Sequence, residues 1–483
     1  MASTLPDHPH SPQDPGTAPP LQHPQHERAG RIEVHGIDRI PESERRGRAR
    51  ELFSVWAAAN VNYLNLVVGG ALVLSGLSPW QAFAVVVAGN LFWLGTGLLA
   101  VSGPAAGAPS EVITRTMYGI RGNRVNNAVT GWMISVCYFA LNLAAAAVAA
   151  FSLAEEAGIT PDTPIKVAIV IAITVVTLTI SVYGHAMIVR LYLPITLVLA
   201  AAFAVVGYEI LRHADFGWSQ PRPLTGAGLW AAVLAGTTLI ASGPLSYTTS
   251  ADFSRYLPAT TSPRAVLGWT ALGGFLPSAA VGGLGVLAAT AVDMTDPQAA
   301  LQKILPGWFN PVFLLSLVVG TIAVNALTAY SAGLALQAVG IRIRRTLSVL
   351  VDGTVAVALT LYALLVSNFL DTVSNVLQLT VVLLGPSTAI YAADILLRRN
   401  RYDGRALTDE SPGSPFWYRA GFNPAGALAL AAGVATSALC VDTLYTGPVA
   451  ALTGVDLALP VGMLVAAAVY TPLMRRTSPR RSA

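Results

Sequence analysis

Apolar runs of about 20 residues, long enough to cross the hydrocarbon core of a bilayer, recur along most of the chain. They fall near 53–76, 79–101, 128–153, 165–184, 191–211, 228–250, 265–292, 311–339, 347–366, 371–397, 424–441 and 459–474. The pattern predicts an all-α integral membrane protein with about twelve transmembrane helices. Two runs carry features that hydrocarbon does not tolerate in an ordinary helix. The first holds Asn60, Asn62 and Asn65, followed by Gly69-Gly70. The sixth has Gly243-Pro244 near its middle, then the hydroxyl series Ser246, Tyr247, Thr248, Thr249 and Ser250. Proline lacks a backbone N–H and clashes with the preceding turn, so a helix break is expected there. Broken backbone at membrane depth survives only where it is buried in protein or lines a wet cavity. Either run alone also fits a plain proline kink or asparagine glue between helices. Interruptions five spans apart, in helices of opposite orientation, predict a five-plus-five inverted repeat with discontinuous helices 1 and 6. The first repeat would cover 53–211, the second 228–397, and two C-terminal helices 424–474.

Composition agrees. The chain is 54% hydrophobic and only 11% charged, against about 25% charged in a soluble domain. Its sequence pI near 9.1 arises from loop arginines, which topology explains without a nucleic-acid partner. With a cytoplasmic N-terminus, the outer segments hold only Lys166, Arg212, Arg222 and Lys303, and the other 25 of 29 basic residues fall inside. This asymmetry predicts a multi-pass protein of the inner or plasma membrane with both termini cytoplasmic. Residues 1–30 are Pro-, His- and Gln-rich and read as a disordered tail, 31–52 as a polar N-terminal segment, and 475–483 as a basic tail. The two cysteines, Cys137 and Cys440, sit in apolar runs and suggest neither a disulfide framework nor a metal site. No Walker A loop, His-Glu-x-x-His or Gly-x-Ser-x-Gly elbow occurs, so no enzyme is expected. Gly282-Gly283-Leu284-Gly285 reads as close helix packing. Secondary transport, a channel or a receptor remain; a membrane-embedded enzyme would need a catalytic pair that is not apparent.

Tyr138 and Asn142 are four apart and share one helix face. An aromatic plane one turn from an amide suits a flat polar heterocycle, stacked on the ring and hydrogen-bonded at its edge. Asn325 lies mid-span with Thr328 one turn away. Packing and interhelical hydrogen bonding account equally for these residues when each is taken alone.

Several longer stretches carry a resemblance. They are Gly36-Ile37-Asp38-Arg39-Ile40-Pro41-Glu42-Ser43-Glu44-Arg45, Val55-Trp56-Ala57-Ala58-Ala59-Asn60, Tyr118-Gly119-Ile120-Arg121-Gly122-Asn123, Asp252-Phe253-Ser254-Arg255-Tyr256-Leu257-Pro258 and Asn325-Ala326-Leu327-Thr328-Ala329-Tyr330-Ser331-Ala332-Gly333. Over 31–475 the chain resembles the nucleobase–cation symporter family of the purine–cytosine permease type. The resemblance implies alternating access and a substrate site between spans one, three, six and eight. It implies Tyr138 as stacking platform, Asn142 and Asn325 as amides reading the base edge, Tyr247 beside Ser246 as second aromatic, and Asn60 and Gly243 at the breaks. Asp252 and Arg255 would fix the inner end of span six. Sodium-coupled members place two hydroxyl residues where this chain has Val319 and Gly320, so the expected coupling cation is a proton, with no other cofactor. Asp352 and Glu209 are candidate titrating groups. The implied substrate is cytosine or a purine; allantoin, hydantoin, uracil or a vitamin-type ring is the alternative, and a polytopic receptor the rival of another class.

Overall fold

Three asparagines end one helix and start the next. The computed structural model describes residues 32–365, 369–442 and 445–477. Within it, span one is two helices, Glu51–Asn60 and Tyr63–Leu74, bent by 57°. Asn62 caps the second piece by accepting from the Asn65 amide at 3.1 Å, and its own Nδ2 donates to the Ala59 carbonyl at 2.6 Å. Asn65 Nδ2 donates to the Asn60 carbonyl at 2.8 Å. These side chains satisfy carbonyls that a helix end leaves without partners.

The other spans are Pro79–Ala106 (two), Ile120–Glu156 (three), Thr163–Tyr183 (four), His185–His213 (five), Gly226–Leu245 (six), Pro263–Ala291 (seven), Asn310–Ala338 (eight) and Arg345–Leu365 (nine). Phe369–Arg398 is span ten and Ala458–Thr477 span twelve; the helix of the eleventh run, Pro424–Cys440, has 17 residues and is shorter than a spanning helix needs, so among the described residues eleven of the twelve expected spans are long enough to cross. The sequence-derived spans therefore each find a helix. Outward-facing Val175 and Val176 of span four and Leu197 and Val198 of span five are exposed, as an apolar surface turned to lipid requires.

Span six corrects the expected position of its break. Pro244 stays inside the helix, which runs on to Leu245; a turn over 246–250 follows, and the chain resumes as Ala251–Ser254. The proline acts one residue late: the helix ends at Leu245, directly after it. Ser242 donates to the Leu239 carbonyl at 2.6 Å, and Thr96 of span two donates to the Pro244 carbonyl at 2.9 Å.

The packing repeats itself. Span one packs on span seven as span six packs on span two; span four packs on eight as nine packs on three. Span five touches one, seven and eight, and span ten touches six, two and three. Exchanging the first five spans for the second five maps each set of contacts onto the other, as the inverted repeat demands. Spans one, two, six and seven form one half, and three, four, eight and nine form the other. Glycines let span one meet span seven. A Cβ on Gly69 would strike the Gly282 carbonyl, and one on Gly285 the Leu66 carbonyl. The Pro424–Cys440 helix and span twelve pair with each other and lie against span ten.

The basic loops gather on one face with the N-terminal segment. Arg45 donates to the Ile40 and Pro104 carbonyls, Arg115 and Arg124 both pair with Glu410, and Arg255 donates to the Gly36 carbonyl. The expected tail 1–30 and most of the basic tail, 478–483, lie outside the described residues.

Candidate functional site

Span three approaches span six at the seam between the two halves. A π-helical stretch, Asn127–Met133, precedes Tyr138; such widened turns recur at functional positions. The Tyr138 hydroxyl donates to the Ser242 carbonyl at 3.4 Å, one residue before Gly243. Tyr138, Asn142, Ser246 and Tyr247 are only half-buried, and Gly243 is exposed. A side chain added at Gly243 would meet no atom within 4 Å. Span three thus offers a ring and an amide to a space that the end of span six also borders.

Asn142 is held from span eight. Its Nδ2 donates to Asn325 Oδ1 at 3.1 Å, while Asn325 Nδ2 donates to the Phe139 carbonyl at 3.0 Å. Asn325 is fully buried and spends both ends of its amide on protein. Its place is behind Asn142, where it fixes the orientation of the more exposed amide. Asn60 is likewise turned inward: Nδ2 donates to the Trp56 carbonyl at 2.8 Å and Oδ1 accepts from Ser278 at 2.9 Å. Ser246 donates to the Gly243 carbonyl at 2.6 Å.

Tyr247 sits in an aromatic cluster that sequence reasoning missed. Its ring stacks on Trp93 at 5.6 Å between centroids and meets Trp56 edge-on at 4.9 Å; Phe253 continues the column to Tyr330. Trp56 belonged to a recognised stretch, but nothing in its spacing tied it to Tyr247.

A network closes the path on the loop-rich face. Glu33, from the N-terminal segment, lies at its centre. Its Oε1 accepts from the hydroxyls of Tyr256 at 2.6 Å and Tyr330 at 2.9 Å and from Arg255 at 3.2 Å. Its Oε2 accepts from the His185 amide at 3.0 Å and pairs with Arg345 at 3.4 Å. Burial alone would raise the Glu33 pKa, but Arg345, Arg255 and the Tyr256 hydroxyl outweigh it and hold the carboxyl below its ordinary range. Asp252 accepts from the Ser110 amide at 2.9 Å and from Ser331 of span eight at 2.7 Å. The sequence suggested Asp252 and Arg255 as anchors for the inner end of span six; Arg255 joins the Glu33 network, and Asp252 ties that end to the loop after span two and to span eight. Glu33 had no local signal, because its partners come from spans five, six, eight and nine.

The other candidate titrating groups lie elsewhere. Asp352 accepts from Trp132 Nε1 at 2.5 Å, within the span-three half. Glu209 pairs with Arg212 on span five at 3.4 Å. Among the described residues, no three His, Cys, Asp or Glu side chains converge as metal ligands would.

Comparison with known proteins identifies the architecture. The model of the family described as "Permease for cytosine/purines, uracil, thiamine, allantoin" matches residues 39–462. The chain belongs to this family. It is 25% identical to the Bacillus subtilis (strain 168) protein named "Putative purine-cytosine permease YxlA" over 480 residues, covering 94% of this chain and 98% of that one. Among solved structures it is similar to Mhp1, a nucleobase-cation-symport-1 family transporter, in a closed conformation with bromovinylhydantoin bound. The TM-score is 0.75 at 19% identity, over 92% of this chain and 97% of that one. Against the inward-facing conformation of Mhp1 the TM-score is 0.67 at 18% identity, over 92% and 95%. The permease therefore has the Mhp1 fold, and its family is one of transporters rather than enzymes.

Proposed function

We propose that this permease imports a nucleobase, cytosine or a purine, by proton symport with alternating access. The membrane would be the inner or plasma membrane, with both termini in the cytoplasm. The observation that carries the substrate reading is the pair Tyr138 and Asn142, half-buried at the seam and oriented by Tyr138–Ser242 and Asn142–Asn325 contacts. The tyrosine ring would stack on the heterocycle and Asn142 would read its edge, with Asn325 holding Asn142 in place. Tyr247 and Ser246 would border the other side, and Gly243 would leave room for the guest.

The wider family description and the hydantoin bound to Mhp1 keep allantoin, hydantoins, uracil and vitamin-type rings within the same chemistry. Protons are favoured over sodium by the lack of side-chain oxygen where span eight meets the span-one break. Hard cations need oxygen ligands. Val319 has no side-chain oxygen, and Gly320 lies so close to the break that an added Cβ would stand 3.3 Å from the Val61 carbonyl.

The test is uptake of labelled cytosine, adenine, uracil and allantoin in cells lacking their own permeases. Saturable uptake of at least one, stopped by a protonophore and insensitive to replacing sodium with potassium, is the expected result. No uptake of any of the four, with the protein present in the membrane, would overturn the substrate reading. Uptake that requires sodium would overturn only the choice of cation.

A further inference from the structure

Glu111 is the one carboxyl in the loop between spans two and three that the closure does not visibly use. It is 1% exposed, and neither carboxyl oxygen has a hydrogen-bond donor. Its main-chain oxygen, by contrast, accepts from both Asn123 at 2.6 Å and Asn127 at 3.0 Å, which fixes the residue. Asp252, itself fully buried, accepts from the amide of Ser110, the residue before Glu111, so the two carboxyls share one buried region. Two like charges buried together cannot both persist.

We propose that Glu111 and Asp252 together hold the single proton that couples to transport, and that Glu111 is the residue that carries it. This rests on the proton-symport reading above and names its site. The step is one proton binding to one carboxylate oxygen: an O–H bond forms on Glu111 when the carrier loads and breaks when the proton passes to cytoplasmic water.

Position supports the assignment. Glu111 belongs to the loop after span two and Asp252 to the foot of span six. The Asp252 carboxylate is tied to Ser331 of span eight, in the opposite half. Ser331 follows Asn325 by six residues, about 9 Å of helix, so the pair sits just inward of the substrate residues. The elements that must part to release substrate inward are the ones that bury this proton. Asp352 also has one buried oxygen without a partner, but its other oxygen accepts from Trp132, within one half of the bundle rather than between the two.

Charge supports it too. Among the described residues, the titratable and charged groups that face the pair are Arg255 beside it and the Tyr391 hydroxyl of span ten. Span eight contributes only Ser331, and the loop only the Ser110 amide. Arg255 is shared with Glu33, and Arg345 completes the cluster. Two guanidinium groups then balance Glu33 and Asp252, provided Glu111 is neutral. Burial first, then the neighbouring Asp252, raises the Glu111 pKa well above its ordinary value, in agreement with the count.

The experiment has two arms. In the first, infrared difference spectra of the purified full-length protein are recorded while the pH is raised from about neutral. A protonated-carboxyl band is expected that titrates away on the alkaline side and is missing in Glu111→Gln. Its absence from the wild type, or its survival in Glu111→Gln, overturns the inference whether or not either protein transports.

In the second arm, proteoliposomes are given a gradient of about one pH unit, acid outside, with labelled cytosine. Wild type should accumulate it up to about tenfold, the limit for one proton per substrate. Glu111→Gln, which copies the neutral state, should only equilibrate, exchanging labelled for unlabelled cytosine at a rate that no longer depends on pH. Undiminished accumulation by Glu111→Gln, or loss of accumulation in Asp352→Asn alone, overturns the assignment to Glu111 while leaving proton symport standing. A wild type that ignores the pH gradient and follows sodium instead overturns proton symport itself.

Discussion

Replacing Asn325 by alanine separates a residue that reads substrate from one that holds the reader. The substitution removes two hydrogen bonds, 3.1 Å to Asn142 and 3.0 Å to the Phe139 carbonyl. Asn325 is fully buried, so no water enters without a cavity to receive it. Asn142 is half-buried and can turn to solvent, which limits the loss on its side. A net hydrogen bond is worth about 1 kcal/mol and an orphaned buried group about 1–3 kcal/mol, so the variant should lose about 2 kcal/mol of stability. The effect on substrate is indirect. Freeing the Asn142 side chain to rotate costs about 0.5–1.5 kcal/mol when it must be ordered again on binding. That corresponds to a KM raised up to about tenfold. Asn142→Ala removes the proposed contact itself and should raise KM further, with less effect on melting temperature. The assay is initial-rate uptake normalised to protein in the membrane, paired with a thermal unfolding scan of the purified variants. If Asn325→Ala raises KM more than Asn142→Ala while leaving the melting temperature unchanged, Asn325 touches substrate directly and the positioning argument is wrong.

Other outcomes follow from the same contacts. Tyr138→Phe keeps the ring and gives up only the hydrogen bonds of the hydroxyl, to the Ser242 carbonyl at 3.4 Å and with Thr380, so uptake should stay within a few-fold of wild type; Tyr138→Ala should lose about 1–3 kcal/mol of stacking, read as an increase in KM. Glu33→Ala leaves Arg255 and Arg345 buried without their shared carboxylate, which costs about 3–5 kcal/mol for such a pair, and should make cysteines placed near Ser331 reactive to thiol reagents from the loop-rich face. The Glu33 pKa is lowered from 4.5, so its contribution is complete above about 4.5 and disappears as pH falls through the lower folded value; unfolding scans of wild type and Glu33→Gln should therefore differ at neutral pH and converge in acid. Glu111 has the opposite sign: its raised pKa contributes stability that is complete below 4.5 and is lost as pH rises through the folded value, so Glu111→Gln should flatten the alkaline decline in melting temperature. Gly285→Ala would drive a methyl into the Leu66 carbonyl and should destabilise the span-one to span-seven contact by about 1–3 kcal/mol.

Much of this was legible in the chain before any coordinates. Apolar run length located the helices, because hydrocarbon thickness is read in short windows. The span-one break was legible because asparagines at membrane depth have few uses, and here they close the broken backbone themselves. The span-six break was misplaced by a few residues for a local reason. Pro244 does end the helix, but the helix stops only after it, at Leu245, and the chain turns over 246–250. Glu33 was illegible: it stands 222 residues from Arg255 and 297 from Tyr330 in sequence, and an acid in a polar segment reads as solvated. The inward turn of Asn60 and the backing position of Asn325 depend on which neighbour each amide finds, which spacing along one helix does not encode.

The central claim is that a flat heterocycle lies at the seam against Tyr138 and Asn142. Titration calorimetry of the purified permease with cytosine, adenine, uracil and allantoin, repeated on Tyr138→Ala, tests it most directly. The account predicts that at least one compound binds the wild type and binds the variant about 5- to 150-fold more weakly, the factor equivalent to about 1–3 kcal/mol of lost stacking. Equal affinity for a bound compound in both proteins would contradict it.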